Sequence, residues 1–180
     1  VVFGMVARFD PQKDHENLVA ALGLVRKLGY NFRCLLVGRG LSADNSKLKE
    51  WIKRYRLDTH VILTGQRTDI PAVMNLIDIH ILSSSGEAFP NVLCEAMACG
   101  TPCVTTDVGD AAEIVGETGW VVPAGSAEAL AGAIVKAMNE FYYEPGNWIK
   151  RRQSVRERIK DNYGIEQMVK KYSQVWQCLC

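Results

Sequence analysis

The chain has 180 residues, 21 Lys and Arg against 20 Asp and Glu, and 48% apolar content. That length suits one compact domain or one lobe of a larger enzyme. A net charge of +1 supplies no global field for nucleic acid or an acidic partner. The apolar runs are too short to span a bilayer. Six cysteines set among Ala, Val, Leu and Met read as reduced core thiols, not as a disulfide framework. The sequence opens on Val1-Val2-Phe3-Gly4 with a strand pattern already under way and no basic leader, and so reads as a piece of a longer protein.

In chain order, β-rich runs alternate with helical patterns. Strands are expected at Val2–Ala7, Phe32–Val37, Val61–Thr64, Ile77–Leu82, Pro102–Thr105 and Trp120–Val122. Most are continuous apolar runs, as suits strands covered on both faces. Asp14 is placed to cap a helix whose Leu18, Ala21, Leu22, Val25 and Leu28 share one stripe and which ends at Gly29. Ser46 can cap Lys47–Arg56, Asp110 and Glu113 have capping-box spacing, and Ser126 opens Ala127–Glu140. Pro90 and Gly100 bracket a helix Val92–Cys99, with Pro90 at its first position. A break at Phe141–Trp148, containing Pro145-Gly146, precedes helices Trp148–Asp161 and Ile165–Leu179. The expected fold is α/β: a doubly wound, mostly parallel sheet of about six strands with helices on both faces, plus C-terminal helices. Residues 1–140 would form the core, and 141–180, with eight Lys and Arg against four Asp and Glu, a helical extension of the same domain.

Ligands of open parallel sheets bind outside the carboxyl ends of the strands, so the loops there are the place to seek chemistry. The loop after the fourth strand runs Ser83-Ser84-Ser85-Gly86-Glu87-Ala88-Phe89-Pro90-Asn91 into a helix, whose N-terminal amides suit a phosphate. Glu87 precedes that helix and Glu95 lies just over one turn inside it. A carboxylate can accept from two neighbouring hydroxyls, which makes it a reader of sugar diols. In an otherwise apolar helix, Glu95 is expected to need a partner. After the first strand, Arg8 and Lys13 place two cations five residues apart, within reach of one diphosphate.

The informative pieces are Gly4-Met5-Val6-Ala7-Arg8-Phe9 with Pro11 and Lys13, Leu36-Val37-Gly38-Arg39-Gly40, and Leu63-Thr64-Gly65. They continue with Ser85-Gly86-Glu87 through Glu95-Ala96-Met97-Ala98, Gly100-Thr101-Pro102, Asp107-Val108-Gly109, Glu113-Ile114-Val115 and Gly119-Trp120-Val121-Val122-Pro123. In this order, from residue 1 to about 140, they resemble the C-terminal, donor-binding domain of the family 4 retaining glycosyltransferases (group 1, B-type fold). The two glutamates with seven residues between them are the most specific part. The resemblance implies a Rossmann-like half of a two-domain enzyme that transfers a sugar, with retention, from a nucleoside-diphosphate sugar to a glycan, lipid or other acceptor. The acceptor would be held by an N-terminal domain absent from this piece, and the piece alone would be inactive.

The resemblance also implies roles. Arg8 and Lys13 would neutralise the diphosphate and, with Glu87 touching the donor sugar, form the catalytic set. Amides around Phe89, Pro90, Asn91 and Val92 would hold phosphate, Ala88 would line the nucleotide-sugar site, and Glu95 would bind the ribose hydroxyls. Gly38 would allow close backbone approach to the nucleotide, and Gly65, Gln66 and Arg67 would lie near the base. Ala88 stands where the family usually has Gly, trimming room beside the sugar. The implied enzyme uses UDP-, GDP- or ADP-sugars without metal or cofactor, binds no nucleic acid, and is cytoplasmic, serving polysaccharide or lipopolysaccharide biosynthesis. A B-type nucleotide-sugar epimerase or hydrolase, or a non-catalytic nucleotide-binding domain, would carry the same donor features, and both stay open.

Competing motifs are weaker. Gly38-Arg39-Gly40-Leu41-Ser42-Ala43 fits a dinucleotide fingerprint, but no acidic residue ends the next strand. Cys94, Cys99 and Cys103 lack zinc-pair spacing, and they read with Cys178 and Cys180 as small hydrophobes. His80 falls in a buried strand pattern and reads as structural. His15, close to Lys13, could approach phosphate. The basic run Lys150-Arg151-Arg152 with Arg156, Arg158 and Lys160 reads as a solvated helix face that would also suit peripheral contact with an anionic membrane.

Overall fold

The computed structural model describes residues 1–177. Cys178, Cys180 and the end of the last expected helix lie outside the described residues. The strands are β1 (Val2–Val6), β2 (Arg33–Val37), β3 (Val61–Gly65), β4 (Ile79–Leu82), β5 (Cys103–Thr106) and β6 (Trp120–Val122). They form one sheet in the order β3-β2-β1-β4-β5-β6, and every pairing is parallel. The helices are α1 (His15–Lys27), α2 (Ser46–Arg54), α3 (Ile70–Leu76), α4 (Asn91–Ala98), α5 (Ala111–Val115), α6 (Ala127–Tyr143), α7 (Pro145–Tyr163) and α8 (Ile165–Gln177).

Alternation along the strands divides the core in two. Phe3 and Met5 of β1 join Leu18, Leu22, Leu48 and Ile134 in a layer with α1, α2 and α6. Val2 and Val6 point the other way, to Met74, Leu93, Met97, Ile114 and Val155 of α3, α4, α5 and α7. A sheet covered on both faces explains why its strands read as unbroken apolar runs.

Several boundaries differ from expectation, each for a local reason. Asn45, not Ser46, caps α2 by accepting from the Leu48 amide. Asp110 makes no side-chain cap, so α5 is short. Pro90 is the N-cap of α4 and not its first helical residue. Helix α6 continues to Tyr143 because Phe141 packs edge-on against Trp148 at 5.3 Å. Pro145 then starts α7 instead of breaking the chain, since that position needs no amide proton. Helix α3 was not expected, although Pro71 in its first turn was available as a signal.

The basic helix α7 is more than a solvated face. Arg151 grips Glu140 through two nitrogens, each at 2.7 Å, and lies 4.3 Å over the Trp120 ring. Arg152 donates to the Gly100 carbonyl at 3.0 Å, just past the end of α4. Arg158 donates to the carbonyls of Ile114 and Glu113 at 2.8 and 2.5 Å, at the end of α5. Arg158 thus satisfies orphan carbonyls at the C-terminus of α5, and Arg152 a carbonyl of the turn just past α4, places where the helix dipole also favours a cation. Lys150, Arg156 and Lys160 stay exposed. Among the described residues, no helix is long and apolar enough to cross a membrane. Arg158→Ala should lower stability by about 1–2 kcal/mol in urea unfolding, whereas Arg156→Ala should stay within about 0.5 kcal/mol.

Candidate functional site

The strand order reverses direction between β1 and β4, so the connections from these neighbours leave to opposite sides and open a crevice at their carboxyl ends. Residues 7–14 follow β1, and residues 83–90 follow β4. The two loops are stitched together there. The buried Ser83 hydroxyl donates to the carbonyls of Lys13 and Asp14 at 2.9 and 3.1 Å, and the Ser85 amide to that of Gln12 at 2.8 Å. Thr106, at the end of β5, donates to the Ser84 carbonyl at 2.6 Å.

This frame brings Lys13 and Glu87 together across 74 residues of sequence. Lys13 Nζ lies 2.5 Å from Glu87 Oε1, and Ser84 Oγ donates to the same oxygen at 2.7 Å. Arg8 is on the same loop but turns to Asp10, with Nε 3.0 Å from Oδ2. The Gln12 amide, and secondarily Arg8, hold the Asp10 carboxyl below its usual range.

Helix α4 starts beside this pair, and no side chain caps its N-terminus. Phe89 and Asn91 are exposed there, Val92 is half-buried and Pro90 is buried. Glu95 is exposed, and its carboxylate has no protein partner among the described residues. The expectation that Glu95 requires a partner in an apolar helix is corrected by its position. Leu93, Ala96 and Met97 face the core, while Glu95 falls on the open side of the same helix.

The second and third loops lock onto the first. The Phe9 amide donates to the Arg39 carbonyl, the Gly38 amide to the Gly65 carbonyl, and the Gly65 amide to the Leu41 carbonyl, each at 2.8 Å. Gly38 has φ +149°, and a Cβ there would overlap the Ala7 carbonyl. The neighbour that demands glycine at 38 is therefore the first loop's own backbone. Gln66 and Arg67 are exposed past β3, where Arg67 makes a two-pronged pair with Asp69 at 2.7 and 2.6 Å. Beside them is a cavity of about 220 Å³ lined by Leu35, Val37, Thr64, Arg67, Ala72 and Val73.

Sequence reasoning gave no role to Ser84, Thr106 and Gly109. A Cβ on Gly109 (φ +50°) would overlap the carbonyls of Glu87 and Ala88, and the neighbouring Asp110 amide donates to the Ala88 carbonyl at 3.0 Å. The run Ser83-Ser84-Ser85 directly after an apolar strand was the available signal. Hydroxyls at a strand end are well placed to tie loops by side-chain to backbone bonds. His80 is buried in β4 and is structural, its Nε2 accepting from the Val6 amide at 3.4 Å. His15 is 2% exposed, packs its ring 5.5 Å from that of Phe9, and leaves both ring nitrogens without partners.

The fold and this crevice define a Rossmann-like α/β lobe with its ligand edge at the β1/β4 reversal. Residues 1–140 match the family model described as glycosyl transferases group 1, and the chain belongs to that family, with the B-type glycosyltransferase fold. It is 28% identical over 180 residues to the capsular polysaccharide biosynthesis glycosyltransferase CapM of Staphylococcus aureus, covering 98% of this chain and 44% of that protein. It is 36% identical over 136 residues to the phosphatidyl-myo-inositol mannosyltransferase of Mycobacterium leprae, covering 72% and 35%. The crystal structure of Anabaena Alr3699/HepE in complex with UDP superposes with a TM-score of 0.78 at 26% identity, covering 96% and 48%. The chain thus spans half or less of each of these proteins.

Gly109→Ala should displace the Glu87 loop and destabilise the fold by about 1–3 kcal/mol. A fall in the urea midpoint together with new amide shifts confined to residues 84–90 checks this. Burial, aided by Lys13, pushes the His15 imidazole down to about 4, and burial alone does the same for His80. Both are neutral in the fold and gain a proton on unfolding between their ordinary 6.5 and about 4. Their stabilisation is complete above that window and is lost as pH falls through it, at about 1.4 kcal/mol per pH unit for each. Urea midpoints followed from about pH 7 to about pH 5 should drop, and drop less steeply in His15→Gln.

Proposed function

We propose that this chain is the donor-binding lobe of a retaining glycosyltransferase that uses a nucleoside-diphosphate sugar. The observation that carries the reading is the meeting of Lys13 and Glu87 at the strand-order reversal, beside the uncapped N-terminus of α4. A diphosphate lying there would meet the Lys13 ammonium, the Arg8 guanidinium and the N-terminus of α4, where the Asn91 and Leu93 amides already donate to the Phe89 and Pro90 carbonyls. These are fixed positive groups at the point where leaving-group charge grows, so they stabilise the transition state more than the ground state. The scheme needs no metal. Glu95, exposed and without a protein partner among the described residues, has both carboxylate oxygens available for the ribose diol. The small cavity by Arg67 has room for one ring system of a base.

Residues 1–140 form the nucleotide core in this reading, and residues 141–177 brace it. A further lobe, consistent with the length of the relatives, supplies the acceptor site. Transfer needs the acceptor held against the donor, and this piece alone therefore binds donor without turning it over. The relatives named for capsular polysaccharide and phosphatidyl-myo-inositol glycosylation make a glycan or lipid-linked acceptor at the cytoplasmic side of a membrane our choice.

Titration calorimetry with UDP, GDP, ADP and the matching nucleosides tests the reading on this chain. One diphosphate should bind, and binding should survive a chelator. Glu95→Ala should weaken it by about 1.5–3 kcal/mol. Arg8→Ala should weaken the diphosphate and leave the weak nucleoside binding unchanged. Failure of all three diphosphates, or loss of binding in chelator, overturns the proposal.

A further inference from the structure

The candidate site already contains its own counter-ion. Lys13 Nζ and Ser84 Oγ both donate to Oε1 of Glu87, at 2.5 and 2.7 Å, while Oε2 has no protein partner among the described residues. The pair is largely shielded, the Lys13 and Glu87 side chains being 18% and 12% exposed. The cation that the reading above assigns to the diphosphate is thus engaged by the carboxylate it assigns to the sugar.

The geometry points to Glu87 as a discriminator between the sugar-bearing donor and the bare nucleoside diphosphate, acting through exchange of the Lys13 partner; this inference rests on the donor-lobe reading. Any diphosphate that takes Lys13 strips Glu87 of its cation and leaves Ser84 as its remaining donor. What happens next depends on the ligand. A sugar ester presents neutral hydroxyls next to the carboxylate, and these can donate to Oε2 and to the vacated side of Oε1. A bare diphosphate instead ends in an unesterified terminal phosphoryl group carrying about −1.5 to −2 charges at pH 7, with no hydroxyl between it and Glu87. Its oxygens accept, and those of Glu87 accept too, so Glu87, left without its cation, faces the anionic terminal phosphate as a like charge in a partly dry crevice. Ser84 is fully buried and its backbone is tied by Thr106, so it holds Glu87 in place and hinders a swing out to solvent. The intact donor is therefore favoured over the nucleoside diphosphate left after transfer, and the same repulsion hastens departure of that product.

The test uses the diphosphate among UDP, GDP and ADP that binds best, with its glucose and mannose conjugates as probes. Glu87→Gln keeps the shape and the acceptor for Ser84 while removing the charge. It should bind the bare diphosphate about five- to ten-fold more tightly than the wild type, and the sugar conjugate no more tightly. In a Lys13→Gln background the gain from Glu87→Gln should shrink, because no cation remains to be released. Glu87→Gln binding the diphosphate equally or more weakly, with far-UV dichroism unchanged, overturns the discriminator while leaving the donor-lobe reading intact. An equal gain in both backgrounds overturns partner exchange. Absence of diphosphate binding to the wild type overturns the inference and the donor-lobe reading together.

Discussion

The whole carboxyl edge of this sheet is governed by one constraint: right-handed crossovers run outward from β1 on one side and from β4 on the other. Neighbouring strands whose connections diverge cannot cover the ground between them, and a cleft is left where both chains exit. Only there can a lysine following β1 meet a glutamate following β4 without either being buried in a helix–sheet interface. The meeting of Lys13 and Glu87 is therefore a property of topology first and of side-chain chemistry second.

The second determinant is rigidity. Carbonyl–amide contacts bind the first three loops into one layer, and Gly38 and Gly109 permit backbone approaches that any side chain would forbid. Buried hydroxyls of Ser83, Ser84 and Thr106 complete the frame. A backbone held this way needs little reorganisation when a ligand arrives, so that the change is confined to the side-chain partners of the charged groups. At the opposite ends of α4 and α5, Arg152 and Arg158 complete the helix termini from α7. The C-terminal segment thus helps fix the helix that carries Glu95.

Much of this was legible in the sequence. Alternation of apolar runs with capped helical stripes sufficed for the fold class and the six strands, because two-sided burial leaves an unambiguous pattern. Arg8 and Lys13 alone read as a solvated surface pair; with Glu87 and the Pro90 turn they stood out because all lie at strand ends of the same sheet edge and fit the pattern of the resembled family. What the sequence could not convey were contacts between distant segments. Nothing local in Ser84 announces a hydrogen bond to Glu87, and nothing in Gly109 announces the Glu87 carbonyl pressed against it. The exposure of Glu95 was misjudged for a related reason. Apolar neighbours at adjacent positions point to a different face of a helix, so composition alone overstates how buried a residue is. Arg152 and Arg158 of α7 were underrated because their partners are backbone carbonyls, which no side-chain pattern reveals.

The stitching between the loops after β1 and β4 has a consequence for how the chain acquires its structure. Pairing of β1 with β4 joins Phe3 to Ile79 and Gly4 to His80, so it must await closure of a long chain segment. Each half of the sheet can first grow from local βαβ units. The crevice therefore comes into being late, when the two halves join, and a partly folded chain with only one half formed has no such crevice to offer. A ligand seated on that seam would protect the amides of β1 and β4 from hydrogen exchange before those of the outer strands, marking the join between the two halves.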